Sequence, residues 1–183
     1  MRKLAAIARA VPDARLRIDA NRSWPDADVR ALIAETKRYS IDYIEEPCSD
    51  SCALVLSDHV HAPIALDESL VGLSLPRLAE LLASRWLAAI VVKPTLHGLL
   101  YALYLARRAK RVVISHALEG PIGMAACCEL ALACGHTGPM GLAPHPALDG
   151  WNIRPPQLDG LTIRPAKVGL GIDASLDGIE VSE

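Results

Sequence analysis

Four polar residues each close a short apolar run: Asp19 in RIDAN, Glu45 in YIEEP, Asp67 in ALDES and Lys93 in VVKPT. They lie 26, 22 and 26 residues apart. Three carboxylates brought to one place repel one another unless a cation joins them. Oxygen donors without Cys or His suit a hard ion, most simply Mg²⁺, with Mn²⁺ as an alternative. A polar residue at a strand end can also cap the next helix, and any one of the four is explained that way. Four in register, three acidic and then one basic, are better explained as a site. Glu46 follows Glu45 directly, and successive strand residues point to opposite faces. One glutamate can therefore enter a site while the other faces away.

The spacing of the four is about one strand–helix unit. Strand-like runs read ARLRIDAN, DYIEEP, APIALDES, AAIVVKPT and RVVISHAL. Between them PDADVRALIAETKRY, LPRLAELLASRW and LLYALYLARRAK carry apolar residues at helical spacing. Pro25 and Pro76 read as first-turn prolines, with Ser23 and Ser74 as nearby caps. Repeated strand–helix units predict an α/β fold with a parallel sheet and right-handed crossovers. In a (β/α) barrel the active site lies at the carboxyl ends of the strands, so equivalent positions on neighbouring strands converge on one mouth.

The composition agrees. Hydrophobic residues make up 51% of the 183, aromatics only 4%, and there is no Phe. Ala, Leu, Val and Ile supply the apolar content, as helices packed on a buried parallel sheet require. The net charge of −2 and the lack of a basic stripe argue against nucleic acid as the main partner. No apolar run reaches the roughly 18 residues of a membrane span, so no membrane partner is expected. The opening MRKLAAIARA reads as an amphipathic helix, because Arg9 interrupts the apolar run too early for a secretory leader. Five cysteines, Cys48, Cys52, Cys127, Cys128 and Cys134, read as buried free thiols of a cytoplasmic protein.

RIDANRSW, YIEEP, ALDES and VVKPTLHG, in that order and spacing, resemble the enolase superfamily, and within it the o-succinylbenzoate synthase branch of menaquinone biosynthesis. The resemblance runs from about Leu16 to about Asp173. It implies a (β/α) barrel of the TIM type. It also implies that Asp19, Glu45 and Asp67 bind Mg²⁺, with Glu46 facing away and Glu68 in a supporting role. Lys93 matches the lysine that acts as a cation over the substrate in the synthases and as an acid/base in the racemases. Ser115, Glu119 and Gly120 match a loop that lines the substrate pocket. The implied reaction removes a proton α to a carboxylate of a small-molecule substrate and then expels a β-hydroxyl as water. Such a proton is weakly acidic, and a divalent cation stabilises the charge left behind. An N-acylamino-acid racemase or dipeptide epimerase shares the same triad and lysine. The late SHALEGPIG lacks the acidic motif such an epimerase would carry.

The sequence also departs from the family pattern. No KxK motif, the source of the family's proton-accepting lysine, is present, and the first residues read as the helix before the DAN strand. The expectation is therefore a partial barrel lacking the N-terminal capping domain and the first strands. Residues 1–150 would form that incomplete barrel domain. Residues 151–183 would form the segment that in the family packs back on the cap. About six strand positions are expected, the last a weak one near Gly138–Leu142. A missing N-terminal half is then the expected partner, and an inactive fragment or half of a split enzyme is the alternative to a working lyase.

Several residues read as unremarkable. His59 and His61 read as part of a polar loop rather than a transition-metal pair. His97 reads as a capping or pocket residue at a helix start, and His116 as a residue of the pocket rim or the helix layer. Cys48 and Cys52 lack the second pair that a zinc site needs. Trp24, Trp86 and Trp151 are too scattered for a stacking platform. Gly169 and Gly171 read as a tight turn.

Overall fold

A computed structural model describes residues 1–57, 60–135, 138–143, 158–159, 162–164 and 169–170. Five strands, β1 (Leu16–Asp19), β2 (Ile41–Glu45), β3 (Ile64–Leu66), β4 (Leu87–Val92) and β5 (Val112–Ile114), form one sheet in chain order. The register-paired neighbours from β1 to β4 run parallel. This is the expected α/β architecture, a curled parallel sheet with helices that matches part of an enolase-type barrel. Strands β3, β4 and β5 are almost wholly buried, and they read IAL, LAAIVV and VVI. A strand covered on both faces needs such a continuous apolar run, because neither side meets water.

By its contacts the chain divides into two compact units, Met1–Val91 with Arg108–Arg111, and Val92–Arg107 with Val112–Glu183. In the first unit lie α1 (Arg2–Ala10), α2 (Val29–Thr36), α3 (Ser51–Leu56) and α4 (Leu75–Ala83). Helix α4 starts as its sequence predicts: the Ser74 hydroxyl accepts from the Arg77 N–H, and Pro76 occupies the first turn. The expected start of α2 needs correction. Pro25 and Ser23 do not open that helix, because the Asp28 N–H closes a turn onto the Pro25 carbonyl and the helix begins at Val29. Helix α3 was not foreseen. It is capped by Asp50, which accepts from the Ala53 N–H at 2.8 Å. Helix α1 is amphipathic as expected but buries none of its residues.

The second unit holds α5 (Pro94–His97), α6 (Leu99–Arg108, whose last residue is assigned to the first unit) and α7 (Pro121–Ala133). Helix α7 buries Met124, Ala125, Cys127, Cys128, Leu130 and Ala131. The weak strand position expected near Gly138–Leu142 is a single parallel bridge between Ser115 and Gly141. Of residues 151–183, the described ones are the antiparallel pair β6 (Leu158–Asp159) and β7 (Thr162–Ile163), Arg164, and a turn at 169–170 that contains Gly169. Trp151 and Gly171 lie outside the described residues. No helix among the described residues is long and apolar enough to cross a membrane.

At the amino-terminal end of β2 the register with β1 shifts, and Asp42 is the extra residue. Its carboxylate accepts from Arg17 Nε at 2.9 Å and from Arg111 Nη1 and Nη2 at 2.9 and 2.6 Å, and Arg15 Nη2 lies at 2.9 Å. The guanidiniums of Arg17 and Arg111 also lie over the buried Tyr43 ring, at 5.0 and 5.4 Å. The Arg111 fork holds the Asp42 carboxyl down at about 2, with Arg17 and Arg15 adding to it against the opposing effect of burial.

Candidate active site

The three carboxylates sit at the carboxyl ends of adjacent strands of the first unit. Asp19 and Glu45 are direct register partners across β1 and β2. Glu45 in turn pairs with Ala65 of β3, and Asp67 lies two residues beyond Ala65, on the same side of the pleat. Asp19 is exposed, Glu45 half-buried and Asp67 buried. The DAN and EEP segments stay side by side past the strand ends. The Ala20, Arg22 and Trp24 N–H groups donate to the carbonyls of Glu45, Glu46 and Pro47 at 3.0, 2.7 and 3.1 Å. This course needs left-handed backbone at Asn21 (φ 45°), Arg22 (φ 57°) and Glu46 (φ 40°). Non-glycine residues take that conformation rarely, and it concentrates at functional sites.

Glu46 faces the other way, as the alternation predicts, and it is the organiser of the site. Its side chain is fully buried. Oε1 accepts the backbone N–H groups of Asp67 and Ser69 at 2.8 and 2.9 Å. Oε2 accepts the Ser69 hydroxyl at 2.8 Å and Arg22 Nε at 3.1 Å. Arg22 Nη2 also donates to the Ser69 hydroxyl oxygen at 3.0 Å. One buried carboxylate thus ties the loops after β1, β2 and β3 together and fixes the backbone that carries Asp67. Arg22 and Ser69 were not expected to contribute. Their only sequence signal is their place inside DANRSW and LDES.

Among the described residues no three His, Cys, Asp or Glu side chains are gathered closely enough to hold a metal ion as they stand. The donor set nevertheless fits a hard cation. It offers oxygens only, from three adjacent strand ends, on backbone already held in place by Glu46.

The basic residue lies in the second unit. Lys93 follows β4 and opens α5, where its carbonyl accepts the Leu96 and His97 N–H groups at 2.9 and 3.0 Å. His97 Nδ1 lies 3.2 Å from the Lys93 N and 3.0 Å from its carbonyl oxygen, so His97 braces the lysine's own peptide. Gly98, at φ +75°, ends the turn in a conformation that suits glycine.

Ser115, Glu119 and Gly120 follow β5. The Ser115 hydroxyl donates to the Gly141 carbonyl at 3.1 Å. Glu119 bonds to the Thr95 hydroxyl and lies 3.6 Å from His116 Nδ1. Gly120 caps α7 ahead of Pro121. His116 Nε2 meets the Ala143 carbonyl at 3.2 Å, which places it in loop contacts. His61 packs edge-on against Trp86, with ring centroids 5.1 Å apart, while His59 lies outside the described residues. All five cysteines are free thiols, and four of them are buried.

The family model of enolase C-terminal domain-like proteins matches residues 1–178. The chain belongs to this family. Among curated relatives, the o-succinylbenzoate synthase of Vibrio cholerae is 35% identical over 133 residues, covering 67% of this chain and 40% of that protein. This chain therefore spans well under half of that relative. Among solved structures, MenC from Desulfotalea psychrophila LSv54 matches with a TM-score of 0.65 and 28% identity, covering 92% of this chain and 48% of that one. A dipeptide epimerase from Cytophaga hutchinsonii, solved with Mg and the dipeptide D-Ala-L-Val, matches with a TM-score of 0.74 over 96% of this chain and 50% of that one. At 23% identity the epimerase match speaks for the family's fold alone.

Proposed function

We propose that this chain carries the ligand set and one lysine of an o-succinylbenzoate synthase-type lyase. The reaction is the Mg²⁺-dependent loss of water from a β-hydroxy carboxylate after removal of its α-proton. The observation that carries the proposal is the pairing of Asp19 with Glu45 beside an Asp67 backbone held by Glu46. Relatives named o-succinylbenzoate synthase support the choice of reaction, at 30% identity in Pasteurella multocida and 35% in Vibrio cholerae. Asp19, Glu45 and Asp67 would hold the metal ion. When bound, Mg²⁺ supplies the positive charge that stabilises an enediolate.

Lys93 contributes a second positive charge, held in place by its α5 turn and by His97. A lysine on a rigid turn acts as a fixed cation or, when desolvated, as an acid/base. Ser115, Glu119 and Gly120 shape the loop on the substrate's side. The acceptor of the α-proton is assigned to no residue of this chain.

Dipeptide epimerisation is the second reading, because the racemases and epimerases that the sequence resembles share the same carboxylate triad and lysine. The two are separated by their products. The chain is combined with the N-terminal portion of the Vibrio cholerae synthase, and o-succinylbenzoate formation is followed with and without Mg²⁺. The expected result is metal-dependent product that Lys93→Ala abolishes. A monodisperse complex showing neither α-proton exchange nor dehydration overturns the proposal, and α-proton exchange in dipeptides alone selects the epimerase.

A further inference from the structure

Glu119 is more deeply committed to its surroundings than a loop residue lining a substrate pocket needs to be. Its side chain is only 6% exposed. One carboxylate oxygen meets the hydroxyl of Thr95, a residue of the next loop back in the chain, 24 positions away. The other oxygen is buried, 3.6 Å from His116 Nδ1 and without a hydrogen-bond partner among the described residues. A methyl group at Gly123, in the first turn of α7, would meet Glu119 Cβ at 2.7 Å and Cγ at 2.9 Å. That is closer than real contacts allow, so the absence of a side chain at Gly123 makes the space in which Glu119 lies. The residue before it, Leu118, has left-handed backbone at φ 63°, strained for a leucine. Backbone strain and a tailored cavity are both spent on aiming one carboxylate at Thr95.

Thr95 is the second residue after Lys93, within α5. The other end of that turn is held by His97, whose ring lies against the Lys93 peptide. The lysine's turn is therefore gripped twice: from within by His97, and from the β5 loop by Glu119. The two grips differ in kind. His97 belongs to the turn itself. Glu119 belongs to the loop whose neighbours Ser115 and Gly120 are assigned to the substrate.

We propose that Glu119 is a positioning residue for Lys93, strapping the Lys93–His97 turn to the β5 loop through Thr95, so that the substrate loop and the lysine are set together. The importance of this strap to the reaction rests on the function proposed above. Its existence does not. Thr95→Val and Glu119→Ala each remove one side of the strap. Glu119→Gln keeps an amide oxygen that can accept from Thr95. Gly123→Ala pushes Glu119 aside without touching either partner.

The experiment is competitive acylation of lysine amines on the intact chain, read by mass spectrometry, with exposed Lys37 and Lys110 as internal references. Loss of one such hydrogen bond corresponds to about a fivefold change in the population of the opened turn. Half-buried Lys93 is expected to react more slowly than Lys37 in the parent chain. It should speed up about fivefold in Thr95→Val, Glu119→Ala and Gly123→Ala, and hold near the parent rate in Glu119→Gln. The Thr95→Val/Glu119→Ala double variant should do no more than either single one, because both remove the same contact. Alkylation of buried Cys128 in the same samples reports general loosening, and it should stay unchanged; Cys127 is not used, because the Glu119 charge itself acts on its thiol.

Thr95 is exposed, so Thr95→Val keeps the test open even where Glu119→Ala unfolds. An unchanged Lys93 rate in folded Thr95→Val, or equal acceleration of cysteine alkylation, overturns the strap. A separate arm adds o-succinylbenzoate with Mg²⁺ to the chain combined with the N-terminal portion of the Vibrio cholerae synthase. If Lys93 gains no protection there while the strap variants still accelerate its labelling, the reaction assignment fails and the strap stands.

Discussion

Glu46 and Asp67 are joined through the backbone of one by the side chain of the other: Glu46 Oε1 accepts the Asp67 N–H at 2.8 Å, with the Glu46 carboxylate fully buried. A buried carboxylate is tolerated only when its oxygens are satisfied, and this one receives two backbone N–H groups, a hydroxyl and a guanidinium. Glu46→Ala would strand those donors and leave Arg22 without its carboxylate partner. The expected loss is about 3–5 kcal/mol, measured by urea unfolding. Glu46→Gln keeps the shape and one acceptor oxygen but sets an NH₂ group against donors, so it should also destabilise, by less than the alanine variant. An alanine variant as stable as the parent would mean that the three loops are held by other contacts.

A metal ion that binds the folded chain and not the unfolded one raises its melting temperature. At about 100 times its Kd the gain is about 2.7 kcal/mol. Mg²⁺ is expected to stabilise this chain, and Asp19→Ala should remove the response. Asp19 is the right control because it is exposed and its carboxylate accepts from the Asn21 N–H two residues on, at 2.9 Å. Its loss should leave the metal-free melting temperature nearly unchanged. A Mg²⁺ response that survives in Asp19→Ala would place the ion elsewhere.

Much of this arrangement was legible in the sequence, and the parts that were not share a cause. The Asp19–Glu45 pairing follows from the spacing of the strand units, and the opposed directions of Glu45 and Glu46 follow from the strand's period of two. Helix α4 announced itself through Ser74 and Pro76. Arg22 and Ser69 did not, because their meeting at Glu46 depends on left-handed backbone at Asn21 and Arg22, which no glycine marks. The Asp42–Arg111 contact joins residues 69 positions apart, and no local pattern encodes such a pair. Helix α2 begins at Val29 rather than near Pro25 because a tertiary hydrogen bond from the Trp24 N–H to the Pro47 carbonyl fixes the chain just before the Pro25–Asp28 turn.

Ser115 and Gly141 form the one bridge that carries the sheet's pattern past β5 among the described residues. A Cβ at Gly141 would lie 2.6 Å from Ser115 Oγ and 3.0 Å from Ser115 Cβ. Gly141→Ala should therefore cost about 1–3 kcal/mol through overpacking. Ser115→Gly removes both colliding atoms, so the double variant should recover part of that loss. Thermal unfolding of the two single variants and the double one measures this coupling directly. Strict additivity would show that the collision is relieved by a backbone shift instead.

The thiols of α7 should be inert in the folded chain. Burial pushes Cys127 up to about 12, with the Glu119 charge adding to it, and Cys128 up to about 11. Only thiolates alkylate readily. At about pH 8 an unperturbed thiol is substantially ionised, so the two should react with iodoacetamide far more slowly than in urea-unfolded chain. Fast labelling without denaturant would mean that α7 opens locally.

Asp42 predicts the acid limb of the stability curve. Its carboxyl is held at about 2 in the folded chain, against an ordinary 3.8, chiefly by Arg111. A depressed folded value means that the unfolded chain takes up the proton first. The stabilisation is therefore complete above the ordinary value and drains away as pH falls from there toward 2. The difference amounts to about 2 kcal/mol, because the Asp42 carboxylate is buried though its arginine partners are partly solvated. Asp42→Asn should flatten that part of the curve between pH 4 and pH 2, an interval of about two units. It should also destabilise the chain at neutral pH, where Arg17 and Arg111 would be left over the Tyr43 ring without their anion. Urea unfolding of both proteins across the acid range checks this. If the two curves stay parallel below pH 4, the proton uptake belongs to carboxylates other than Asp42.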